Sequence, residues 1–566
     1  MEKETRWIWQ DHYDHPAGWS QKFPSLTLPD MLAGAASRDP DAMLIDFYGR
    51  RYSYGEVLDC ARRFAHALIG LGIGKGDRVG LYLPNVPHYV AAYYGSVMAG
   101  AVVVNFSPLY TAEELAHQAE DSGTRLLVTI SANQLFGTAC KVLETSHIER
   151  LIVGSIAPCL PPVQRMLYRL FKSRDDARLP EGDRRILRFS EFVRDPAEQR
   201  LPVLDAEKDL ALIQYTGGTT GRPKGAMLTH QNLTANARQI NLIDPYGALP
   251  DRIMGVLPFF HVFANASVLN RTIAHGGSMV MLPRFEAGQV LKAIARTGVT
   301  SFPGVPTMFQ ALLDHPRIKS ANLSSVRVCI SGGAPLSLAL KQQFEAATGA
   351  NLVEGYGLTE CSGVATANPY EKPGKVGTIG QPLPGTRIKL LDRDDPAKPA
   401  PPGEPGEIAI SGPQIMRGYW HNPDADKDVF VLGYLRTGDV GTIDADGYVS
   451  VVDRIKDMIA VGGFKVFPSQ IEAVLYQNPA VREALVIGIP DAYHGELPKA
   501  FVTLRSDVAD KPDGAALMAW LNPQLGKHER VSAVEIRDSL PRTLVGKLSR
   551  KELVEEERAK AKARGG

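Results

Sequence analysis

Residues 210–225 read LALIQYTGGTTGRPKG. The first six form a short apolar run with the look of a buried strand, and the remaining ten hold four glycines, three threonines, Arg222 and Lys224. Glycine lets backbone N–H groups approach phosphate oxygens, threonine adds short donors, and lysine brings a mobile charge, so the composition suits an anion cradle. Residues 226–236, AMLTHQNLTAN, lead on into a helical pattern. Strand, glycine-rich loop and helix in that order predict a nucleotide-phosphate loop; a solvated turn is the bland alternative. No glycine stands five residues before a Gly-Lys-Ser or Gly-Lys-Thr step, so this is not a Walker loop, which counts against a P-loop ATPase or kinase.

Outward from this loop, apolar runs alternate with amphipathic helical segments: RVGLYL (78–83), RLLVTI (125–130), SMVML (278–282), VTSFPG (299–304) and VRVCIS (326–331). The alternation predicts an α/β protein with largely parallel sheets, and 566 residues exceed one compact core. From Gly380 the texture changes to Pro and Gly turns between β-rich pieces, which predicts a barrel-like or antiparallel subdomain. A last change falls at VDRIKD (452–457), a hinge candidate at Lys456. Beyond it, helices near Ser469–Gln477 and Ala515–Leu521 and strands near Ala484–Ile489 and Ala500–Leu504 are expected, enough for a small domain with its own core.

The 63 Lys+Arg and 62 Asp+Glu give a net charge of +1, with no global pull toward nucleic acid or anionic lipid. Five scattered cysteines without CxxC spacing read as reduced thiols of a cytosolic chain. The first residues, MEKETRWIWQ, lack the apolar core of a secretory signal. Residues 88–106, HYVAAYYGSVMAGAVVVNF, carry no formal charge, but Gly100 divides them into a helix-like and a β-branched half. A buried helix followed by a strand is expected there, not a membrane span. PVQRMLYRLFKSR (162–174) suggests a short basic amphipathic helix that would suit a membrane surface. Its shortness and the acids of the following DDARLPEGD favour a solvated helix in a surface insertion.

Other stretches share the density of the opening one. SGGAP (331–335) follows an apolar strand, and EGYGLTE (354–360) follows another. Glycines on both sides of Tyr356 would let a planar ring approach it, while Thr359 and Glu360 offer a hydroxyl donor and a hard oxygen ligand for Mg²⁺. YLRTGD (434–439) places Asp439 after a turn, suited to two ribose hydroxyls.

Taken in order, YTGGTTGRPKG, SGGAP, EGYGLTE, YLRTGD, VDRIKDMIAVGGFKVFPSQIE and LPRTLVGKLSRKEL resemble the acyl-CoA synthetases of the adenylate-forming superfamily, and most closely the bacterial long-chain fatty acyl-CoA ligases. The resemblance runs from about Leu28 to Leu553. It implies an N-terminal domain, residues 1–455, of two α/β subdomains plus a β-barrel-like subdomain, and a small mobile α+β C-terminal domain, residues 456–566. It also implies a two-step reaction: carboxylate and ATP give acyl-AMP and pyrophosphate, then the thiol of coenzyme A displaces AMP.

By that resemblance Thr216, Gly217, Gly218, Thr219, Thr220, Gly221 and Lys224 would hold the β- and γ-phosphates, and Glu360 the Mg²⁺. Gly333, Ala334, Glu354, Gly355, Tyr356, Gly357 and Thr359 would surround the adenylate, with Asp439 and Arg454 on the ribose. Lys547 would set its ammonium between the attacking carboxylate and the α-phosphate. Lys456 would be the hinge, Gly462, Gly463 and Phe464 would line the CoA channel, and His261 in PFFHVFA (258–264) would gate the acyl pocket. Two departures touch the C-terminal domain: QLGKHER (524–530) replaces a usual proline-containing turn, and Lys465 stands where asparagine or glutamine is common.

The helix after His261 contains Asn270 and Arg271 where apolar residues are expected. An Arg271 facing the tunnel would point to a dicarboxylic acid; otherwise it faces solvent or an acid on a neighbouring element. The expected activity is a medium- to long-chain fatty acid–CoA ligase. Dicarboxylate- or aryl-acid–CoA ligase, acyl-AMP donor to a carrier protein, and silent lipid-binding homologue are the alternatives. The expected partners are a small carboxylic acid, ATP and CoA, without nucleic acid, in the cytoplasm. Peripheral contact with the inner face of the membrane and a homodimer are left open.

Overall fold

The computed structural model describes residues 6–172, 175–216, 223–371, 374–491, 493–505, 508, 510–543 and 548–564. The apolar runs form two large sheets. In the eight-stranded one, Leu210–Thr216, Val102–Asn105, Arg78–Leu81, Thr124–Ile130, Arg150–Gly154 and Ile186–Arg188 lie parallel in that order. In the nine-stranded one, Asn351–Tyr356, Val328–Ser331, Ser301–Gly304, Arg252–Gly255, Ser278–Met281 and Met43–Phe47 do the same. Covering helices begin at capping boxes, Ser53 with Glu56 and Thr111 with Glu114, which satisfy their first unpaired N–H groups.

The uncharged stretch 88–106 lies at the centre of this large N-terminal domain as the helix Pro87–Met98, then Gly100 at φ +78°, then the strand Val102–Asn105. Almost all of the helix is buried, and a Cβ on Gly95 would come within 2.7 Å of the Ala61 carbonyl oxygen, so it packs backbone-close on Tyr54–Gly70. Among the described residues no helix is long and apolar enough to cross a membrane.

The barrel-like part is a five-stranded antiparallel sheet, Arg387–Leu391, Gly406–Ser411, Tyr434–Ile443, Phe430–Val431 and Val449–Arg454. It packs Ile388, Ile408, Ile410 and Val449 against Trp9, and its pairing does not close into a ring among the described residues. The small C-terminal domain has its own core. Ile459–Val461, Phe464–Val466, Val481–Asp491, Gly495–Leu504 and Ala533–Ile536 form its sheet, backed by Pro468–Leu475 and Gly514–Leu521 with Ile471, Leu475, Val486, Val502 and Leu521 between them.

One local expectation is corrected. Residues after the glycine-rich loop do not open a helix: Lys224–Thr229 is a strand antiparallel to Leu210–Thr216, with Thr216 opposite Lys224, and the helix starts at His230. The strand is paired on its other edge too, with Gly418–Tyr419, and its Ala226 and Leu228 are buried. Two-sided pairing with burial outweighs the helical pattern expected from Ala226 onward, which holds only from His230. The two strands therefore form the arms of a β-hairpin.

Candidate active site

Val328–Ser331 and Asn351–Tyr356 are parallel neighbours, with Ser331 opposite Glu354. The segments Gly332–Pro335 and Gly357–Glu360 consequently leave from the same carboxyl edge, the edge where open α/β sheets bind ligands. Leu336 N–H donates to Glu354 Oε1 at 3.3 Å and ties the two segments together. Gly333, next to Ala334, has φ +82°. A Cβ on Gly332 would come within 3.0 Å of the Phe263 ring, so the segment bearing His261 abuts the same edge. His261 caps its helix, Nδ1 accepting from Phe263 N–H at 3.3 Å.

Tyr356 donates its phenol to Asp439 Oδ2 at 2.5 Å, and Arg454 Nε donates to Asp439 Oδ1 at 2.9 Å. Strand register makes this trio, since Asp439 and Arg454 face each other across the antiparallel pair Tyr434–Ile443 and Val449–Arg454. Burial, then the Asp439 charge, raises the Tyr356 phenol well above its ordinary range. Burial would lower Arg454, but Asp439 reverses that and keeps the guanidinium charged. Each Asp439 oxygen retains a lone pair for a further hydroxyl donor. Gly355 and Gly357 flank the ring as expected, but a Cβ on Gly357 would meet the Gly363 carbonyl oxygen at 2.0 Å, so backbone packing alone demands glycine there.

Thr359–Cys361 is a 3₁₀ turn closed by Ser362 at φ +60°. Glu360 Oε1 accepts the Tyr419 hydroxyl at 2.7 Å, and Lys224 Nζ stands 5.1 Å over the Tyr419 ring. Tyr419 thus joins the end of the glycine-rich hairpin to Glu360. Sequence reasoning missed it: its only local signal is an aromatic pair in RGYWHN, and its meaning comes from the pairing of Gly418–Tyr419 with Ala226 and Met227. Among the described residues no three His, Cys, Asp or Glu side chains cluster around a metal position. Mg²⁺ with a nucleotide commonly uses one or two carboxylates plus phosphate oxygens and water, so Glu360 alone fits that ion. Thr216 ends its strand at this hairpin. Gly217, Gly218, Thr219, Thr220, Gly221 and Lys547 lie outside the described residues.

Lys456 sits in the 3₁₀ turn Ile455–Asp457 directly after Arg454, and burial, then Arg454, lowers its ammonium. Gly462 and Gly463 are the two-residue turn between Ile459–Val461 and Phe464–Val466, at φ +57° and +89°. Both angles lie in the left-handed region, which accounts for the glycine pair. Phe464 is exposed and stacks on His528 with ring centroids 4.1 Å apart.

Arg271 does not face solvent. It is 1% exposed and pairs with Asp244 and, at 3.0 Å, with Asp251. Its charge is met by the chain's own acids, which removes the argument for a dicarboxylic substrate. The helix carrying it has a π segment, Asn265–Asn270, between Val262–Ala264 and Arg271–His275. Asn265 and Asn270 there bond to Tyr93 and Tyr94 in a buried polar cluster.

Glu354 carries a titration that stability measurements can read. Burial pushes its carboxyl up to about 8, against an ordinary 4.5. Between those values the folded chain holds a proton that the unfolded chain releases, so stability falls as pH rises through the window, by at most about 1.4 kcal/mol per pH unit. Glu354→Gln is expected to flatten the decline of the urea midpoint between about pH 5 and 8; parallel curves for the two proteins would refute the assignment.

The carboxyl edge thus carries Tyr356, bonded to Asp439 and through it to Arg454, and Glu360, joined by Tyr419 to the end of the hairpin strand at Lys224. The AMP-binding enzyme model matches residues 32–420, and the AMP-binding enzyme C-terminal domain matches residues 470–547. The chain belongs to the AMP-binding enzyme family. It is 38% identical over 554 residues to a long-chain-fatty-acid–CoA ligase of Bacillus subtilis (strain 168), covering 97% of this chain and 98% of that one. A feruloyl-CoA synthase of Amycolatopsis sp is 36% identical, covering 92% and 96%. The crystal structure of ATP-bound MatB from Rhodopseudomonas palustris superposes with TM-score 0.81 at 30% identity, covering 94% and 99%.

Proposed function

We propose that this AMP-binding enzyme is an ATP-dependent ligase joining medium- to long-chain fatty acids to coenzyme A through an acyl-AMP. The observation that carries the reading is the Tyr356–Asp439–Arg454 trio on the same edge as Gly333, Ala334 and the Lys224–Tyr419–Glu360 chain. It offers a flat ring for a base, a carboxylate for ribose hydroxyls, and a cation beside a hard oxygen ligand for phosphates. The length-spanning identity to the Bacillus subtilis ligase supports the fatty acid.

A carboxylate is a poor acyl donor because its oxygen is a poor leaving group, and adenylation turns that oxygen into part of a phosphate anhydride. Thr216, the glycine-rich residues 217–221 and Lys224 hold the β- and γ-phosphates in this reading, and Glu360 holds Mg²⁺, which neutralises phosphate charge. Lys547 draws the carboxylate to the α-phosphate. Rotation about Lys456, with the domains divided at 455/456, then withdraws Lys547 and brings Gly462, Gly463 and Phe464 to the thiol's path. His261 and the segment beside Phe263 border the acyl group.

AMP release by the purified chain with ATP, Mg²⁺ and CoA, across saturated monocarboxylic acids of graded length, matched dicarboxylic acids and benzoate, tests this. A maximum among the longer monocarboxylates is expected. A benzoate or dicarboxylate maximum would replace the fatty-acid reading, and release that needs a carrier protein in place of CoA would replace the thiol acceptor.

A further inference from the structure

The helix Pro162–Phe171 is mounted with its apolar side outward. Val163, Met166, Leu167, Leu170 and Phe171 recur at helical spacing on one face, and none of the ten residues is buried. Phe171 is 77% exposed and Val163 and Leu170 are each 67% exposed. The opposite, polar face is the one tied to the protein. Arg165 Nη2 donates to the carbonyls of Pro158 and Leu160 at 3.1 and 3.2 Å, Tyr168 donates to Asp176 at 2.9 Å, and Gln164 Nε2 donates to the Tyr48 carbonyl at 3.2 Å. A surface helix ordinarily turns its apolar stripe to the core, so here the anchoring hydrogen bonds hold a hydrophobic face in water.

Charge narrows what covers that face. Residues 161–172 contain Arg165, Arg169 and Lys172 and no acid, in a chain whose total is only +1. Arg169 and Lys172 are exposed at the helix's outer end. Arg50, from the neighbouring hairpin, donates to the Pro158 carbonyl at its foot and adds another cation. A two-fold contact with a second copy would bring these cations against their own equivalents. An apolar stripe flanked by Arg169 and followed by Lys172 at the helix end matches instead an anionic bilayer, where the side chains enter the acyl boundary and the cations meet headgroup phosphates.

We propose that the helix Pro162–Phe171 docks this protein on an anionic lipid surface. The sequence favoured a solvated helix because it is short and acids follow it; of these, Asp176 is turned inward to Tyr168, while Asp175 is exposed beside Lys172.

The test is flotation of the full chain with vesicles of phosphatidylcholine alone or mixed with phosphatidylglycerol, without ATP, CoA or acid, so the result is independent of the ligase reading. Binding to the mixed vesicles that weakens with salt is expected, with at least about tenfold loss in Leu170→Glu/Phe171→Glu. Arg169→Glu/Lys172→Glu is expected to lose binding and most of the salt dependence. All these side chains are exposed, and unchanged far-UV circular dichroism checks the fold. No flotation of the wild type, or equal flotation of Leu170→Glu/Phe171→Glu, would overturn the proposal. So would sedimentation showing a concentration-dependent dimer that this variant abolishes while vesicle binding is unchanged.

Discussion

Lys547→Ala is expected to lower acid-dependent ATP–pyrophosphate exchange by about 10²–10³-fold, the range for removing one preorganised charge partner from a reacting oxyanion. The reason is electrostatic. Carboxylate and triphosphate are both anions, and a cation between them offsets their repulsion and the charge that develops on the α-phosphate. Three residues on, Arg550 is held on two sides, by Glu472 at 2.6 Å and by Asp457 at 3.2 Å. Its Nε also donates to the Val486 carbonyl at 3.0 Å. Arg550 thus fastens the segment after Lys547 to its own domain and to the residue following the hinge candidate Lys456, so that a rotation there carries Lys547 with it. Thioester formation from chemically prepared acyl-AMP and CoA does not need that lysine in the proposed cycle. The Lys547→Ala protein is therefore expected to retain this second half-reaction within a few-fold. Equal loss of both half-reactions would refute the division of labour, and retained exchange would remove Lys547 from the chemistry.

How far the sequence reached depended on whether a residue's meaning was local. Strand positions such as 78–83 and 125–130 and the buried helix and strand at 88–106 were legible because periodicity and burial are local demands. The strand Lys224–Thr229 was not, because its conformation is set by partners on both edges, one of them nearly two hundred residues away. Tyr419 escaped notice for the same reason. Asp439 and Arg454 could be paired only by motif resemblance, whereas the structure supplies the cause, direct opposition in an antiparallel register. The outward stripe at 163–171 had the spacing of any amphipathic helix; which face met the protein was decided by hydrogen bonds from Gln164, Arg165 and Tyr168.

Arg271→Met is expected to cost roughly 3–5 kcal/mol of stability, because it leaves Asp244 and Asp251 buried without their cation. The pair is deep, with Arg271 and Asp251 side chains each 1% exposed. Burial alone would raise Asp251, but Arg271 first, with hydrogen bonds from Thr300 and Ser301, brings it below its ordinary range. In the wild type this carboxylate therefore contributes stability at neutral pH, lost only as pH falls below the ordinary carboxylate range. In the variant burial is opposed only by the Thr300 and Ser301 hydrogen bonds and by the charges of His275 and of Arg327 at 3.8 Å, so the folded carboxyl titrates higher than in the wild type and its contribution at neutral pH shrinks. The gap between the two proteins is expected to widen from about pH 4 upward, read as urea midpoints across pH. Adding Asp244→Asn and Asp251→Asn to Arg271→Met is expected to recover part of the loss, since amides carry no uncompensated charge. The soluble variant is expected to keep the parent's ranking of mono- over dicarboxylic acids, because the guanidinium is already satisfied by the chain. A variant of unchanged stability but altered acid ranking would sink this account and return Arg271 to the substrate tunnel.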